Sequence, residues 1–295
     1  MSDFRLKVFQ SVAKNLSFTK ASQELFVSQP AITKHIQELE ATYQTRLFDR
    51  QGSKISLTES GRLLLEHCER ILEDYKRLEY EMHLLHNEYI GELKLGASTT
   101  IAQYVLPPLL GSFIGKFPQV NLSLLNGNSR EIEAALQEHR IDLGLVEGVF
   151  RLPNLKYTTF LEDELVAVVH SKSRLQLPEE ITPQDLPAIP LVLRERGSGT
   201  LDVIERSLQK HGAKLSSLHV LMYLGSTESI KLFLETSDCM GIVSIRSICK
   251  ELAAGTFRVV EIKDMPMLRD FCFVQLQGQE GGLSQAFMNY MFMSR

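Results

Sequence analysis

Residues 194–200 hold the densest set of groups in this sequence that could bind a small anion. The segment Arg-Glu-Arg-Gly-Ser-Gly-Thr combines two guanidinium groups, two glycines that let a ligand approach the backbone, and two hydroxyls before a predicted helix. The first N–H groups of a helix lack intrahelical partners and carry partial positive charge, so this end of a helix favours anions. In the alternative interpretation the hydroxyls are helix caps, the turn is flexible and the arginines lie on the surface.

Three other predicted strand ends also carry short polar residues directly before a helix, at residues 98–100, 128–129 and 226–227. In an open α/β sheet the carboxyl ends of the strands border the crevice in which ligands bind. Glu147 ends another predicted strand, where it either lines the crevice or caps a neighbouring element. The residues predicted to bind the ligand are Ser98, Thr99, Thr100, Asn128, Glu147, Arg194, Arg196, Gly197, Ser198, Gly199, Thr200, Ser226 and Thr227.

A second set of candidate residues lies in two short helices, joined by a tight turn, that the pattern predicts at residues 18–40. Ser17 or Thr19 can cap the first helix, while Ser28 and Pro30 suit the N-cap and the first turn of the second. Short polar side chains at the start of such a helix suit base edges and phosphates in a major groove. The alternative is a helical hairpin on the protein surface.

A predicted turn at residues 51–53 joins two short extended segments, 47–50 and 54–57. A small hairpin after such a helix pair is a wing, which would carry Arg50 and Lys54 to phosphates or into a minor groove. We assign base edges to Gln29, Pro30 and Thr33, and phosphates to Ser28, Lys34, Arg50, Lys54 and Thr58. The complete set of predicted DNA contacts is Ser17, Thr19, Lys20, Ser28, Gln29, Pro30, Ala31, Thr33, Lys34, Arg50, Lys54 and Thr58.

The charge of the chain is uneven, which agrees with a DNA-binding segment at the N-terminus. Residues 1–62 contain nine Lys or Arg and six Asp or Glu, a net charge of +3, whereas the whole chain of 295 residues carries −4. The remainder therefore carries −7. A local basic face on an acidic chain allows DNA contact there and disfavours it elsewhere.

Other signals are missing from the sequence, and their absence argues against several classes of protein. There is no apolar run of about 18 residues and no apolar export segment near Met1, which predicts a cytoplasmic protein without a membrane span. The four cysteines are scattered, which predicts reduced thiols and no metal site. There is no Gly-x-Ser-x-Gly or His-Glu-x-x-His segment, and residues 111–116 are one residue short of a phosphate-binding loop. We therefore predict neither an enzyme nor a cofactor.

Residues 64–89 carry apolar side chains at alternating steps of four and three. This period of 3.5 is typical of a coiled coil, and a second copy of the same helix is the expected partner. The alternative is an amphipathic helix packed on its own domain. The apolar positions are Leu64, Cys68, Ile71, Tyr75, Leu78, Met82, Leu85 and Tyr89. Those assigned to dimerisation are Leu64, Ile71, Tyr75, Leu78, Met82 and Leu85.

Beyond residue 91, predicted strands and helices alternate, which predicts a parallel, doubly wound α/β sheet. The predicted strands are residues 92–97, 120–125, 142–146, 161–170, 191–193, 241–244 and 271–276. The predicted helices are residues 101–117, 131–138, 201–210, 229–236 and 284–292.

Residues 1–65 resemble the N-terminal domain of LysR-type transcriptional regulators. Three motifs carry the resemblance: Leu-Ser-Phe-Thr-Lys-Ala-Ser at 16–22, Val-Ser-Gln-Pro-Ala-Ile-Thr at 27–33, and Leu-Phe-Asp-Arg followed by Leu-Thr-Glu-Ser-Gly at 47–61. Further along, residues 106–107, 117–120 and 140–145 resemble the effector-binding domain of that family.

The resemblance implies an α/β protein with an N-terminal all-α winged helix-turn-helix. A long linker helix would join it to two Rossmann-like lobes of the periplasmic-binding-protein type. Two strands near 161–170 and 269–276 would cross between these lobes. The implied domains are residues 1–60 (winged helix-turn-helix), 61–90 (linker and dimerisation helix), 91–165 with 270–295 (lobe I) and 166–269 (lobe II).

The function implied by the resemblance is sequence-specific regulation of transcription in the cytoplasm. The implied partners are double-stranded DNA, a small anionic effector, a second copy in a dimer that can pair into a tetramer, and RNA polymerase. Residues 194–200 resemble the segment of family members that sense sulfur oxyanions or phosphorylated acids, with Leu201 where those often have Arg. The alternative is a cytosolic small-molecule-binding α/β protein, or an enzyme, with an accessory helical domain.

Overall fold

The chain consists of two compact units, Met1–Glu88 and Tyr89–Arg295. The computed structural model describes residues 4–51, 54–84, 89–278 and 281–293. The elements of the first unit are α1 (Phe4–Asn15), α2 (Phe18–Glu24), α3 (Gln29–Tyr43), β1 (Phe48–Gln51), β2 (Lys54–Leu57) and α4 (Glu59–Leu84). This order confirms the predicted winged helix-turn-helix.

The core of the first unit forms because apolar residues recur on one face of each helix. Phe9 of α1, Ala21 of α2 and Ile32 of α3 are fully buried in it. The first turn of α4 lies against the start of the hairpin, where a Cβ on Gly61 would collide with the backbone of Leu47. The hairpin is thereby fixed to the helical core at its base.

The packing of helix α4 differs from the predicted coiled-coil seam at the N-terminal end of the helix. Cys68 is fully buried in the core of its own unit, and its thiol donates to the carbonyl oxygen of Leu6 at 3.3 Å. Further along, Ile71, Leu78 and Met82 are 40%, 53% and 53% exposed. Leu64 and Tyr75 are half-buried. Leu85 lies outside the described residues, and Tyr89 packs within the second unit, with its ring against that of Phe117.

The second unit begins at Tyr89 and alternates strands with helices. Its strands are β3 (Gly91–Ser98), β4 (Val120–Gly127), β5 (Leu143–Glu147), β6 (Leu155–His170), β7 (Glu180–Ile181), β8 (Leu191–Arg194), β9 (Val220–Leu224), β10 (Met240–Ser244), β11 (Phe257–Ile262) and β12 (Met267–Leu276). Its helices are α5 (Leu106–Lys116), preceded by a π-helical turn at Ile101–Val105, then α6 (Ser129–Gln137), α7 (Gly199–Lys210), α8 (Thr227–Thr236), α9 (Cys249–Ala253) and α10 (Gly282–Met293).

All ten strands join in one sheet, and the two longest strands run through both of its halves. The order is β4-β3-β5-β12-β6-β10-β8-β9, with β11 on β6 and β7 on β11. Pairing is parallel among β3, β4 and β5 and among β8, β9 and β10, while β6 and β12 pair antiparallel. We call the half with β3–β5, α5, α6 and α10 lobe I, and the half with β7–β11 and α7–α9 lobe II.

Each lobe has its own hydrophobic cores, which agrees with the predicted pair of α/β lobes. The sequence pattern did not predict β7, β9 or β11. Strand β9 is an edge strand whose three central residues are apolar but exposed, so it shows no alternation between apolar and polar positions. None of the described helices is long and apolar enough to cross a lipid bilayer.

Candidate ligand crevice and DNA-binding face

The start of helix α3 presents the side chains that the sequence assigned to DNA. Ser28 caps this helix by accepting a hydrogen bond from the N–H of Ala31 at 3.4 Å. Gln29, Pro30 and Lys34 are exposed beside it. The hydroxyl of Ser17 caps α2 in the same way, through the N–H of Lys20 at 3.2 Å, and Thr19 and Lys20 are exposed on that helix. Both helix N-termini thus present exposed polar side chains.

Two further predicted DNA-contact hydroxyls, those of Thr33 and Thr58, donate to backbone carbonyl oxygens. Thr33 donates to the carbonyl oxygen of Gln29 at 3.1 Å, within its own helix. Thr58 donates to the carbonyl oxygen of Arg46 at 2.8 Å and accepts from the N–H of Gly61 at 2.9 Å, which makes it the cap of α4. Ala31 is half-buried. The backbones of Arg50 and Lys54 lie in the hairpin strands, but their side chains fall outside the described part of the chain.

Arg194 lies at the carboxyl end of β8, between the two lobes, with 1% of its surface exposed. Its Nη2 donates to the hydroxyl of Thr99 in lobe I and to the carbonyl oxygen of Gly225 in lobe II, each at 3.3 Å. Glu195 accepts from Nε at 2.8 Å and from Nη2 at 3.0 Å. The remaining nitrogen, Nη1, is buried and has no hydrogen-bond partner among the described residues.

A second unsatisfied group lies next to Thr99 in the chain. The hydroxyl oxygen of Thr100 is buried, and within the described ranges it too has no hydrogen-bond partner. Most buried polar groups in proteins are hydrogen-bonded, since an unpaired one loses its bonds to water without replacement. We call Thr99, Thr100, Arg194 and Glu195 the crevice cluster. Two of its groups, Nη1 of Arg194 and the hydroxyl of Thr100, are donors that an anion with several oxygens would satisfy.

A second side-chain contact joins the two lobes. The hydroxyl of Tyr104, on the π-helical turn, donates to the carboxylate of Glu228 on α8. Lys231 lies beneath this contact, 2.8 Å from Glu228 and 5.5 Å from the centre of the Tyr104 ring. Burial and the adjacent Glu228 carboxylate raise the pKa of Tyr104, so this phenol stays protonated and donates at neutral pH.

Behind the crevice cluster, Arg269 joins several predicted site residues in what we call the strand ion network. Its Nε donates to Asp163 at 2.8 Å, and its Nη1 donates to the hydroxyl of Thr200 at 2.9 Å and lies 3.5 Å from Glu147. The hydroxyl of Ser98 donates to the other oxygen of Glu147. Asp163 and Arg269 face each other across β6 and β12. The network therefore ties both lobes to the crossing strands.

Glu147 belongs to this network, and its partners are internal. It is 3% exposed, and burial raises the pKa of its carboxyl group, an effect that the Arg269 and Arg194 guanidinium groups oppose. Its hydrogen bond from Ser98 and its ion pair with Arg269 engage both of its oxygens. Glu147 therefore supports neighbouring elements, and it also lines a cavity of about 370 Å³.

Three of the other predicted ligand residues serve as helix caps. Asn128 accepts from the N–H of Glu131 at 3.0 Å in a capping box, while Ser198 and Ser226 cap α7 and α8. The carbonyl oxygen of Gly197 accepts from the N–H of Arg130 at 3.3 Å and so closes lobe II onto the start of α6. Gly199 and Thr227 are buried, whereas Arg196 is exposed, unlike Arg194.

The sequence interpretation missed Asp163, Arg269 and Tyr104. A usable signal existed for the first two, because each is a charged residue inside a strand that was predicted to cross between lobes. A buried charge in a strand needs a partner, and opposite charges on two neighbouring crossing strands are natural partners. The sequence carried no such signal for Tyr104, because its contact with Glu228 depends on how the two lobes close. The described residues hold no group of three or more His, Cys, Asp or Glu placed to bind a metal.

A winged helix-turn-helix and a two-lobed α/β unit with unsatisfied donors in its crevice define a class of protein. The members of this class are DNA-binding regulators that carry a ligand-binding domain in the same chain. Residues 4–62 match the profile described as bacterial regulatory helix-turn-helix protein, lysR family, and residues 86–292 match the LysR substrate binding domain. The chain belongs to the LysR family of transcriptional regulators.

Two relatives and one solved structure illustrate the similarity. The uncharacterized HTH-type transcriptional regulator YeiE of Escherichia coli (strain K12) is 34% identical, over 88% of this chain and 85% of its own. The RuBisCO operon transcriptional regulator of Acidithiobacillus ferrooxidans is 30% identical, over 98% and 92%. The Synechocystis PCC6803 CcmR regulatory domain, solved in complex with 2-PG, is 27% identical, with a TM-score of 0.62, over 69% of this chain and 97% of that one.

Proposed function

We propose that this regulator responds to a small anion bound by Arg194 and Thr100 in the crevice between its lobes. The observation that carries the proposal is the buried Nη1 of Arg194, which has no hydrogen-bond partner among the residues that the structure describes. A guanidinium N–H that loses water on burial is costly unless an acceptor replaces it, and an anion is the strongest acceptor. The similar CcmR regulatory domain was solved in complex with 2-PG, which supports a small-molecule site in this type of domain.

Within the proposal, the predicted site residues take different roles. Thr100 and Arg194 contact the effector, and Thr99 positions Arg194, because its hydroxyl accepts from Arg194 and donates to Gly127. Thr200 and Glu147 support the site through Arg269, because their polar atoms are already engaged there. The caps of α6, α7 and α8 position the loops that surround the crevice.

On the DNA side, Gln29 and Pro30 contact base edges, because they are exposed at the start of the helix expected to enter the major groove. Lys34 contacts phosphate through its exposed ammonium group. The hydroxyls of Thr33 and Thr58 contribute less to DNA contact than the sequence suggested, because both donate to backbone carbonyl oxygens.

Dimerisation is the third part of the proposal. Helix α4 leaves Ile71, Leu78 and Met82 exposed, and these recur at steps of seven and four. A seam of this spacing is buried when a second copy of the helix packs on it. Further exposed apolar side chains occur on both outermost strands of the long sheet, which supports additional contacts between copies: Leu124 and Leu125 on β4, and Leu221, Met222 and Tyr223 on β9.

The dimer is tested by charge insertion at the seam. Leu78→Asp with Met82→Asp should shift the sedimentation coefficient of the full-length protein from dimer toward monomer at micromolar concentration. Leu63→Asp, at another exposed apolar position of α4, is the matched control, because residue 63 lies outside the 3.5-residue pattern. Unchanged sedimentation of the double variant would exclude this seam.

The anion site is tested by calorimetric thermal shift of the full-length protein with sulfite, sulfate, phosphate, nitrate and 2-phosphoglycolate. A ligand at a hundred times its Kd stabilises the folded state by about 2.7 kcal/mol, which is a measurable shift. Arg194→Met should abolish the shift produced by the best anion, while Arg196→Met, which changes an exposed arginine two residues away, should retain it. A full shift in Arg194→Met protein would place the anion elsewhere.

A further inference from the structure

Glu195 already occupies one edge of the guanidinium that holds the proposed effector. Its two oxygens accept from Nε and Nη2 of Arg194 at 2.8 and 3.0 Å. The Arg194 side chain is 1% exposed and that of Glu195 is 26% exposed. The unpartnered nitrogen, Nη1, belongs to the same guanidinium. An anion bound at Nη1 therefore shares Arg194 with a carboxylate that is part of the protein.

The other buried cations near the crevice are balanced by acids in the same way. Arg269 is paired with two carboxylates in the strand ion network. Lys231 lies 2.8 Å from Glu228 and 2.5 Å from Glu251. Leu201, which follows Thr200, is buried in the apolar core of lobe II and adds no charge. The described buried cations around Arg194 are therefore already paired with acids.

We propose that Glu195 sets the charge of the effector, so that the crevice accepts a monoanion much better than a dianion. The inference rests on the proposed anion site at Arg194. Repulsion between Glu195 and a ligand is proportional to the charge of the ligand, and it is strong at a buried site because solvent screens it little. The neutral hydroxyl of Thr100 donates to either kind of anion and does not discriminate between them, while that of Thr99 donates to the carbonyl oxygen of Gly127 at 3.2 Å.

A second role for Glu195 has to be separated from this one. A carboxylate that binds two nitrogens of a guanidinium also orients it, so Glu195 could act only by positioning Arg194. The two roles make opposite predictions when the charge is removed but the side chain keeps its size. Loss of a repulsive charge strengthens anion binding, whereas loss of orientation weakens it.

The experiment measures the binding of perchlorate and sulfate to full-length protein by isothermal titration calorimetry. These anions are both tetrahedral and carry one and two negative charges. In Glu195→Gln protein we expect perchlorate to bind about tenfold more tightly than in the wild type, and sulfate about a hundredfold, because the energy doubles with the charge. Glu235→Gln removes the same charge from an exposed position on α8 and should leave both constants within about twofold.

The possible results separate the inference from the site on which it rests. Equal gains for the two anions, or weaker binding of both, would overturn the charge-setting role of Glu195. Glu195→Asp keeps the charge and should preserve the wild-type ratio of sulfate to perchlorate affinity, which tests the inference independently of how well the Gln variant folds. If neither anion bound to the wild type or to Glu195→Gln protein, the anion site at Arg194 would itself be wrong.

Discussion

Replacing Arg269 with Met should strongly destabilise the second unit, because two buried carboxylates would lose the cation between them. Arg269 lies 2.8 Å from Asp163 and 3.5 Å from Glu147, and these two acids are 5% and 3% exposed. Removing one partner of a buried ion pair reduces the free energy of unfolding by about 3–5 kcal/mol, since it leaves an uncompensated charge. The loss of the hydrogen bond to Thr200 acts in the same direction.

Differential scanning calorimetry of the full-length protein is the suitable assay, because the chain has no tryptophan to report unfolding by fluorescence. For a unit of this size, each 1 kcal/mol lowers the transition midpoint by about 2–4 °C, so Arg269→Met should lower it by about 6–20 °C. Asp163→Asn in the Arg269→Met background should recover part of the loss, because it removes the stranded charge.

Glu147→Gln is the contrasting variant. Burial raises the pKa of Glu147 above its unfolded value of 4.5, so the folded state binds this proton more tightly than the unfolded state. The stabilisation that comes from this tighter proton binding at Glu147 is fully present below the unfolded pKa and is lost as pH rises through the raised folded pKa. Because Gln cannot ionise, the stability of Glu147→Gln protein relative to the wild type should improve as pH rises from about 4 to 8.

Two results would refute this reasoning. Arg269→Met protein that unfolds at the wild-type midpoint would mean that the ion network contributes no stability. A stability difference between Glu147→Gln and wild type that does not change with pH would mean that Glu147 does not carry a raised pKa in the folded protein.

Three further outcomes are expected. In DNA-binding titrations, Gln29→Ala should lose about 1–3 kcal/mol of binding free energy on specific sites and little on random duplex. Lys34→Ala should weaken binding to both and reduce the slope of log affinity against log salt concentration by about one. If both variants lost the same affinity on every duplex, these roles would be contradicted. Gly199→Ala should lower the calorimetric midpoint, since its Cβ would collide with the backbone at the end of β5, whereas Gly111→Ala, with open space around its Cβ, should not. Native-state iodoacetamide should label exposed Cys249 and spare Cys68, whose pKa burial raises to about 12; mass spectrometry showing the reverse order would contradict the burial.

Local signals in the sequence were sufficient to predict the winged helix-turn-helix. Ser17 and Ser28 cap their helices, and Pro30 lies in the first turn of α3, as helix-end chemistry requires. These signals act between residues a few positions apart, so they can be recognised in the sequence without knowledge of the fold. The alternation of strands and helices predicted the α/β lobes for the same reason, and the segment around Arg194 was recognisable by composition alone.

The tertiary structure decided which polar groups meet. Asp163 and Arg269 are 106 residues apart in sequence and pair only because β6 and β12 run antiparallel in one register. The same holds for Tyr104 and Glu228, which meet only where the lobes close. Periodicity also placed Cys68 in a seam between chains, whereas the packing of α4 buries it in its own unit. A periodic pattern identifies the apolar face of a helix, but the surface that covers this face is set by contacts distant in sequence.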